Sequence, residues 1–317
     1  PGSSFPGTCR PCRASCGPLH DAGRAAQLNP SLQKDHLLAG MVDQAYLEII
    51  PTSTILERVV HLPQHAYVSI TCSPTHGVEP TLALTEQLRA LPEERCLKLI
   101  PHIAARVVRD RGHLREILAR LDALRVESIF VPGGDAGEPA GDYDCSLEVL
   151  RDMAEIGHAI EDVGIAAHPE GHPLVDDATL LQLLQEKQTL ATYLVTQMCF
   201  DPEALLAWLK RVRAAGVTLP AWIGLPGVAD VSKLISLSLR IGVGQSVRVL
   251  KKQKGLMRRM ISAKPYQPDD LLAGIQRHLG DPGLNIPGFH LFSFNDVERT
   301  ERWRQDTLRK LNGGHIS

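Results

Sequence analysis

The sequence predicts an α/β protein built as a single (β/α)8 TIM-type barrel, and three observations lead there. From Ala45 onward, short apolar runs alternate with segments of helical periodicity, eight times over. The runs are continuous rather than alternating, the mark of parallel strands buried on both faces. Several of them stop abruptly on Glu, His, Asp, Thr or Gln. That puts polar groups at the carboxyl ends of strands, where barrels of this kind carry their chemistry. A doubly wound sheet is the competing architecture. It usually has fewer strands, and no G-x-G-x-x-G follows the first run.

Taken in order, the expected strands are Ala45–Ile50, Ala66–Cys72, Leu97–Ala104, Ser128–Val131, Gly164–Ala167, Thr192–Thr196, Ala221–Leu225 and Phe289–Phe294. Between them lie expected helices. Ser53–Val60 is short, and Glu79–Ala90 carries leucines at helical spacing. Gly112–Leu124 reads L-x-x-I-L-x-x-L-x-x-L, and Cys145–Ile160 and Asp177–Lys187 are comparable. Pro202–Ala214 follows Asp201, an N-cap residue with proline at the first helical position. Asp230–Ile241 and Pro268–Leu279 complete the set.

Residues 1–40 read differently. They are rich in Pro, Gly, Ser, Ala and Arg, without a sustained apolar period, and the expectation is a disordered or irregular extension ahead of a barrel domain over 41–317. Met41 would then mark a natural start. Cys9, Cys12 and Cys16 in this stretch are closely spaced enough to bind a metal, but a closed zinc site wants four ligands. No apolar segment of the length of a signal core is present there.

Composition narrows the function classes. The net charge of −2 provides no field for nucleic acid or an anionic membrane, and the 4% aromatic content argues against a stacking surface for single strands. No apolar run approaches the roughly 20 residues of a membrane span. Cys72, Cys96, Cys145 and Cys199 are scattered through apolar segments, as in reduced, cytoplasmic enzymes. The expected partner is therefore a small molecule; nothing in the sequence fixes the oligomeric state.

Several strand ends carry candidate site residues. Glu48 sits between Leu47 and Ile49, an apolar setting suited to a carboxyl that delivers a proton; the plainer account is a structural carboxylate held by an arginine or by backbone donors. Asp135 follows Gly133-Gly134 and would equally cap a glycine-rich turn. Gln197 offers a donor and an acceptor. His102 and His172 fit a ligand contact or a satisfied structural role equally well. His168, Glu170 and His172 invite a metal reading, since alternate residues of an extended segment share a side. The intervening prolines and the lack of a clear further ligand argue for no metal.

Taken together, these segments resemble the methylenetetrahydrofolate reductase family, in the right order along the chain. Leu47-Glu48-Ile49-Ile50-Pro51 is similar to the family's F-E-F-x-P-P, Val68-Ser69-Ile70-Thr71 to V-S-V-T, and Ile100-Pro101-His102-Ile103 to P-H-L. Pro132-Gly133-Gly134-Asp135 resembles L-R-G-D. Ala166-Ala167-His168-Pro169-Glu170-Gly171-His172-Pro173 resembles A-A-Y-P-E-x-H-P, and Thr196-Gln197-Met198-Cys199-Phe200-Asp201 resembles T-Q-F-F-F-D. Phe289 to Asn295 echoes the last strand.

The resemblance implies reduction of 5,10-methylenetetrahydrofolate to 5-methyltetrahydrofolate with hydride from NADH or NADPH. It makes Glu48 the general acid of ring opening, gives Asp135 and Gln197 to the pterin, and places Thr71, His102, His168 and His172 around the cofactor. The family's cofactor is FAD, and here the pattern departs. The arginine of L-R-G-D is Gly133, the tyrosine of A-A-Y-P is His168, and the lysine expected eleven residues before Gln197 falls on Glu186, unless a one-residue gap restores it as Lys187. The folate-facing positions match the family and the flavin-facing positions do not, so the expectation is direct hydride transfer without flavin. An ordinary flavoenzyme, and a folate-linked methyl transferase or demethylase on the same barrel, are the alternatives. Lys251, Lys252, Lys254, Arg258 and Arg259 form a basic cluster, read either as a solvated helix face or as a polyglutamate contact.

Overall fold

The computed structural model of the chain describes residues 30–240 and 265–313. Its centre is an eight-stranded parallel sheet in the order β3-β2-β1-β8-β7-β6-β5-β4. The strands are β1 Tyr46–Ile49, β2 Tyr67–Ile70, β3 Lys98–Pro101, β4 Ser128–Val131, β5 Asp162–Ala167, β6 Tyr193–Thr196, β7 Ala221–Pro226 and β8 Phe289–Phe292. β3 and β4 meet through a bridge between His102 and Phe130, with the Ile103 N–H donating to the Phe130 carbonyl at 2.8 Å. The expected barrel is the observed fold, and every expected strand is found, with its ends shifted by a few residues at most.

The helices are α1 Pro30–Asp43, α2 Ile55–Val59, α3 Glu79–Arg89, α4 Arg111–Ala123, α5 Ser146–Ile156, α6 Asp177–Lys187, α7 Pro202–Ala214, α8 Val231–Arg240, α9 Asp269–Gln276 and α10 Val297–Gly313. Local chemistry starts them. The carboxylates of Asp110, Asp176 and Asp201 accept from backbone N–H groups of α4, α6 and α7, which helix geometry leaves without internal partners. α5 stops earlier than its apolar pattern, at Gly157, whose φ of +78° is open to glycine at little cost.

Each strand sends alternate side chains to opposite sides. Outward residues such as Leu47, Val68, Ile129, Ile165 and Leu291 pack into the layers under the helices. Inward residues fill the barrel, with Tyr46, Ile100, Phe130, Tyr193 and Val195 forming one cluster. Tyr46 stacks on Trp222 at 3.9 Å and on Tyr67 at 5.0 Å between ring centroids. These rings need space from their neighbours. A Cβ at Gly164 would come within 2.4 Å of the Tyr193 ring, and one at Gly288 within 2.3 Å of Trp222.

Two helices, α1 and α10, were not expected from the sequence. α1 crosses the boundary placed between residues 40 and 41: Leu38, Ala39, Met41 and Val42 are buried on it. Residues 30–40 are thus part of the folded unit, because they cover apolar surface on α10. The buried Arg304 of α10 donates to the Val42 and Asp43 carbonyls and pairs with Glu301 at 2.7 Å. The cysteines at 9, 12 and 16 and the basic cluster at 251–259 lie outside the described residues. Among the described residues, no helix is long and apolar enough to cross a membrane.

Candidate functional site

Glu48 is the polar residue of an otherwise apolar β1, and the alternation that buries Leu47 and Ile49 outward turns it into the barrel. Its side chain is 13% exposed, and Oε2 lies 3.1 Å from Nε2 of His290 on β8, which is 2% exposed. The partner is therefore a histidine, neither the arginine nor the backbone donor of the plainer account. His290 Nδ1 is buried without a partner among the described residues. A buried N–H left orphaned is rarer than an orphaned acceptor. The favoured tautomer thus has its proton on Nε2, which donates to Oε2 of the Glu48 carboxyl and leaves Nδ1 bare.

The segment after β8 fixes the Glu48 backbone. Ser293 Oγ donates to the Glu48 carbonyl, and Asn295 bridges the next residue, accepting from Ile50 N–H at 2.7 Å and donating to its carbonyl at 2.9 Å. Asn295 does this from a left-handed φ of +63°, which asparagine tolerates better than most residues.

His102 belongs to the same interior. Its Nε2 is 2.6 Å from Ser69 Oγ, its ring packs edge-on against Phe130 at 4.8 Å, and its ring centre is 6.4 Å from that of His290. Burial, with His290 adding to it, holds its pKa well below the usual histidine range, so the ring is neutral. Thr71 and Gln197 stand at the ends of β2 and β6. The Thr71 carbonyl accepts from Thr81 Oγ1 at 2.8 Å. Gln197 is half-buried, and its Oε1 accepts from the Met198 N–H at 2.8 Å, leaving the amide N–H groups for a ligand.

A cavity of about 980 Å³ opens beside this interior, over the ends of β4 and β5. It brings together Asp135, His168 and His172, whereas Glu48, Thr71, His102 and Gln197 are not among its lining residues. Asp135 is exposed on the loop after β4. The His168 ring stands edge-on to His172 at 5.0 Å, and His172 Nδ1 accepts from the Leu174 N–H at 3.2 Å. Burial pushes the pKa of His168 down to about 4, with His172 and Lys187 adding to the effect. Among the described residues, no group of three or more His, Cys, Asp and Glu could hold a metal ion.

Of the two residues that the sequence offers for the family's lysine, Glu186 does not line the cavity and Lys187 does. Glu186 faces outward, pairing with Arg151 at 3.0 Å and accepting from Gln182. One step along a helix turns a side chain by roughly 100°, so a one-residue offset exchanges an outer carboxylate for an inner cation. Lys187 has no hydrogen-bond or ion-pair partner among the described residues, and burial lowers its pKa. Gly133 is also at the cavity, and a Cβ there would meet nothing within 4 Å.

His290, Arg106 and Arg211 were not singled out as site residues from the sequence, although all line the cavity or touch Glu48. His290 had a signal: the alternation Phe289-His290-Leu291-Phe292 turns it inward on the strand that pairs with β1. The arginines had none, because a guanidinium on a helix or loop reads as solvated surface.

Comparison with known proteins finds relatives of one family. The family model for methylenetetrahydrofolate reductase matches residues 51–300. The 5,10-methylenetetrahydrofolate reductase of Escherichia coli is 28% identical over 162 residues, 50% of this chain and 49% of that one. Methylenetetrahydrofolate reductase 1 of Schizosaccharomyces pombe is 35% identical over 65 residues, 20% of this chain and 11% of that one. Methylenetetrahydrofolate reductase 2 of Saccharomyces cerevisiae is 31% identical over 87 residues, 26% and 14% of the two chains. The chain spans about half the length of the bacterial relative and a smaller share of the yeast ones. With the family model covering most of its length, this chain belongs to the methylenetetrahydrofolate reductase family.

Proposed function

We propose that the protein reduces 5,10-methylenetetrahydrofolate to 5-methyltetrahydrofolate with hydride from NADH or NADPH. The observation that carries this reading is the Glu48–His290 pair at the mouth of an apolar barrel. Ring opening of the folate needs a proton at its departing nitrogen, and a carboxyl shielded from water and held by one histidine is built to deliver it. His290 keeps the Glu48 side chain in one orientation, while Ser293 and Asn295 hold its backbone. Asp135 accepts hydrogen bonds from the pterin, and the free amide N–H groups of Gln197 complement it.

The residues present fit a dinucleotide. A cavity of this size lies near the top of the range for cofactor sites, and the unpaired, half-buried Lys187 offers its charge to a diphosphate, with Arg211 further out. The nicotinamide cofactor supplies the hydride. Direct transfer to folate, without flavin, rests on Gly133 and His168 standing where the resemblance puts flavin contacts. Lys187 favours a second reading, FAD held in the same cavity, because it restores the third of those contacts.

The purified protein decides between them. Direct transfer requires both substrates bound at once, so initial-rate plots intersect, the protein is colourless, and added FAD leaves the rate unchanged. Parallel lines with a bound flavin absorbance near one per chain establish the flavoenzyme instead. Absence of methyltetrahydrofolate formation with either nicotinamide, with or without FAD, removes the reductase reading altogether.

A further inference from the structure

Asp135 is assigned to the substrate, yet its carboxylate has no hydrogen-bond or ion-pair partner among the described residues. Its direction is set by the backbone of the loop that carries it. That loop is moulded on the segment after β3. Ala105 and Arg106 N–H groups donate to the Pro132 and Gly133 carbonyls at 3.0 Å each, the Ala140 N–H donates to the Arg106 carbonyl at 2.9 Å, and the Asp142 N–H to the Arg109 carbonyl at 2.7 Å.

One side chain then spans the loop. Arg106 Nε donates to the Ala136 carbonyl and Nη2 to the Gly137 carbonyl, both at 2.8 Å, and Nη1 reaches the Asp144 carbonyl and carboxylate at 3.3 Å each. A guanidinium has three nitrogens carrying five N–H donors, and all three nitrogens are committed to this loop. Arg106 lines the cavity, but its donors are already spent on protein oxygens. An arginine serving as an anion receptor would keep a fork of donors free.

We propose that Arg106 is a positioning residue for folate: its guanidinium locks the two carbonyls that follow Asp135 and so aims the Asp135 carboxylate at the substrate. The inference rests on the reading of Asp135 as a folate contact. It does not depend on whether flavin is present. A fixed fork is required, because a lysine ammonium is a point charge that cannot span Ala136, Gly137 and Asp144 together.

The test is a double-mutant cycle on the full chain with Arg106→Lys, Asp135→Asn and the double variant. KM for 5,10-methylenetetrahydrofolate, KM for NADH and the binding of 5-methyltetrahydrofolate by calorimetry are measured for each. Arg106→Lys raises the folate KM by about tenfold or more, on the scale that misplacement of a binding group produces, and leaves the NADH KM within about twofold. In the double variant the two effects do not multiply, since Arg106 acts through Asp135. An Arg106→Lys variant with a normal folate KM, beside an impaired Asp135→Asn, overturns this inference alone. Asp135→Asn with normal folate binding overturns the Asp135 assignment and this inference with it. Multiplying effects, or equal losses for folate and NADH, reduce Arg106 to a structural residue. Arg106→Gln, which keeps part of the hydrogen bonding, is measured in parallel; failure of both variants to fold assigns Arg106 to barrel stability and also overturns the proposal.

Discussion

Glu48 on β1 and His290 on β8 meet at 3.1 Å across the seam that joins the first and last strands of the barrel. The contact therefore forms only when the chain has closed on itself. Replacing Glu48 by glutamine keeps the shape and a hydrogen bond to His290 but removes the proton. Turnover is expected to fall by roughly 10²-fold or more, the scale of a lost general acid, while 5-methyltetrahydrofolate still binds. Rapid-quench rates and a binding titration check this; near-normal turnover takes Glu48 out of the mechanism.

Lys187 gives a prediction with two opposite signs. An unpaired, largely desolvated cation is a cost in the free protein. Lys187→Met keeps the length of the side chain and removes the charge, so the melting temperature stays level or rises. Affinity for the dinucleotide falls by about 10- to 100-fold, the effect of losing one charge-assisted hydrogen bond of roughly 1.5–3 kcal/mol. A lower melting temperature with unchanged dinucleotide affinity would make Lys187 a structural residue.

His168 predicts a pH window for stability. Its folded pKa is about 4, held down chiefly by burial, whereas an unfolded histidine titrates near 6.5. The unfolded chain then binds more protons between these values, so stability is full above about pH 6.5 and declines as pH falls toward 4. Urea unfolding of the parent and of His168→Gln across this range isolates the contribution. The variant is expected to show a shallower decline, and parallel curves would contradict the assignment.

Helix α1 predicts what truncation does. A chain beginning at Met41 loses Leu38 and Ala39 from the packed surface against the C-terminal helix. Burying one leucine contributes about 1.5–3 kcal/mol, so this chain should be less stable than one beginning at Pro30 by at least that amount. Chemical denaturation of the two gives the difference directly. Equal stabilities would return residues 30–40 to an extension that contributes nothing.

The barrel itself was readable from the order of residues, because each strand's continuous apolar run and each helix's 3.6-residue period are local consequences of burial on both faces or on one. Glu48 and His168 stood out as candidates on the same ground, since one interrupts such a run and the other follows the end of one, whereas Asp135 and His172 lie on the loops beyond. α10 escaped because its buried face includes Thr300, Glu301, Arg304 and Thr307, polar residues that a periodicity argument assigns to solvent; Arg304 is held there by Glu301 on the same helix and by Asp43 at the end of α1. The partner of Glu48 lies 242 residues away, and no spacing rule reaches that far. Whether Glu186 or Lys187 faces the cavity is a matter of helix rotation, fixed by how α6 packs on the barrel rather than by either residue's own propensity. The types of group available to the site are thus set by local pattern. Which of them meet, and which charge is left unpaired inside, is decided by closure of the barrel and the angle at which each helix lies on it.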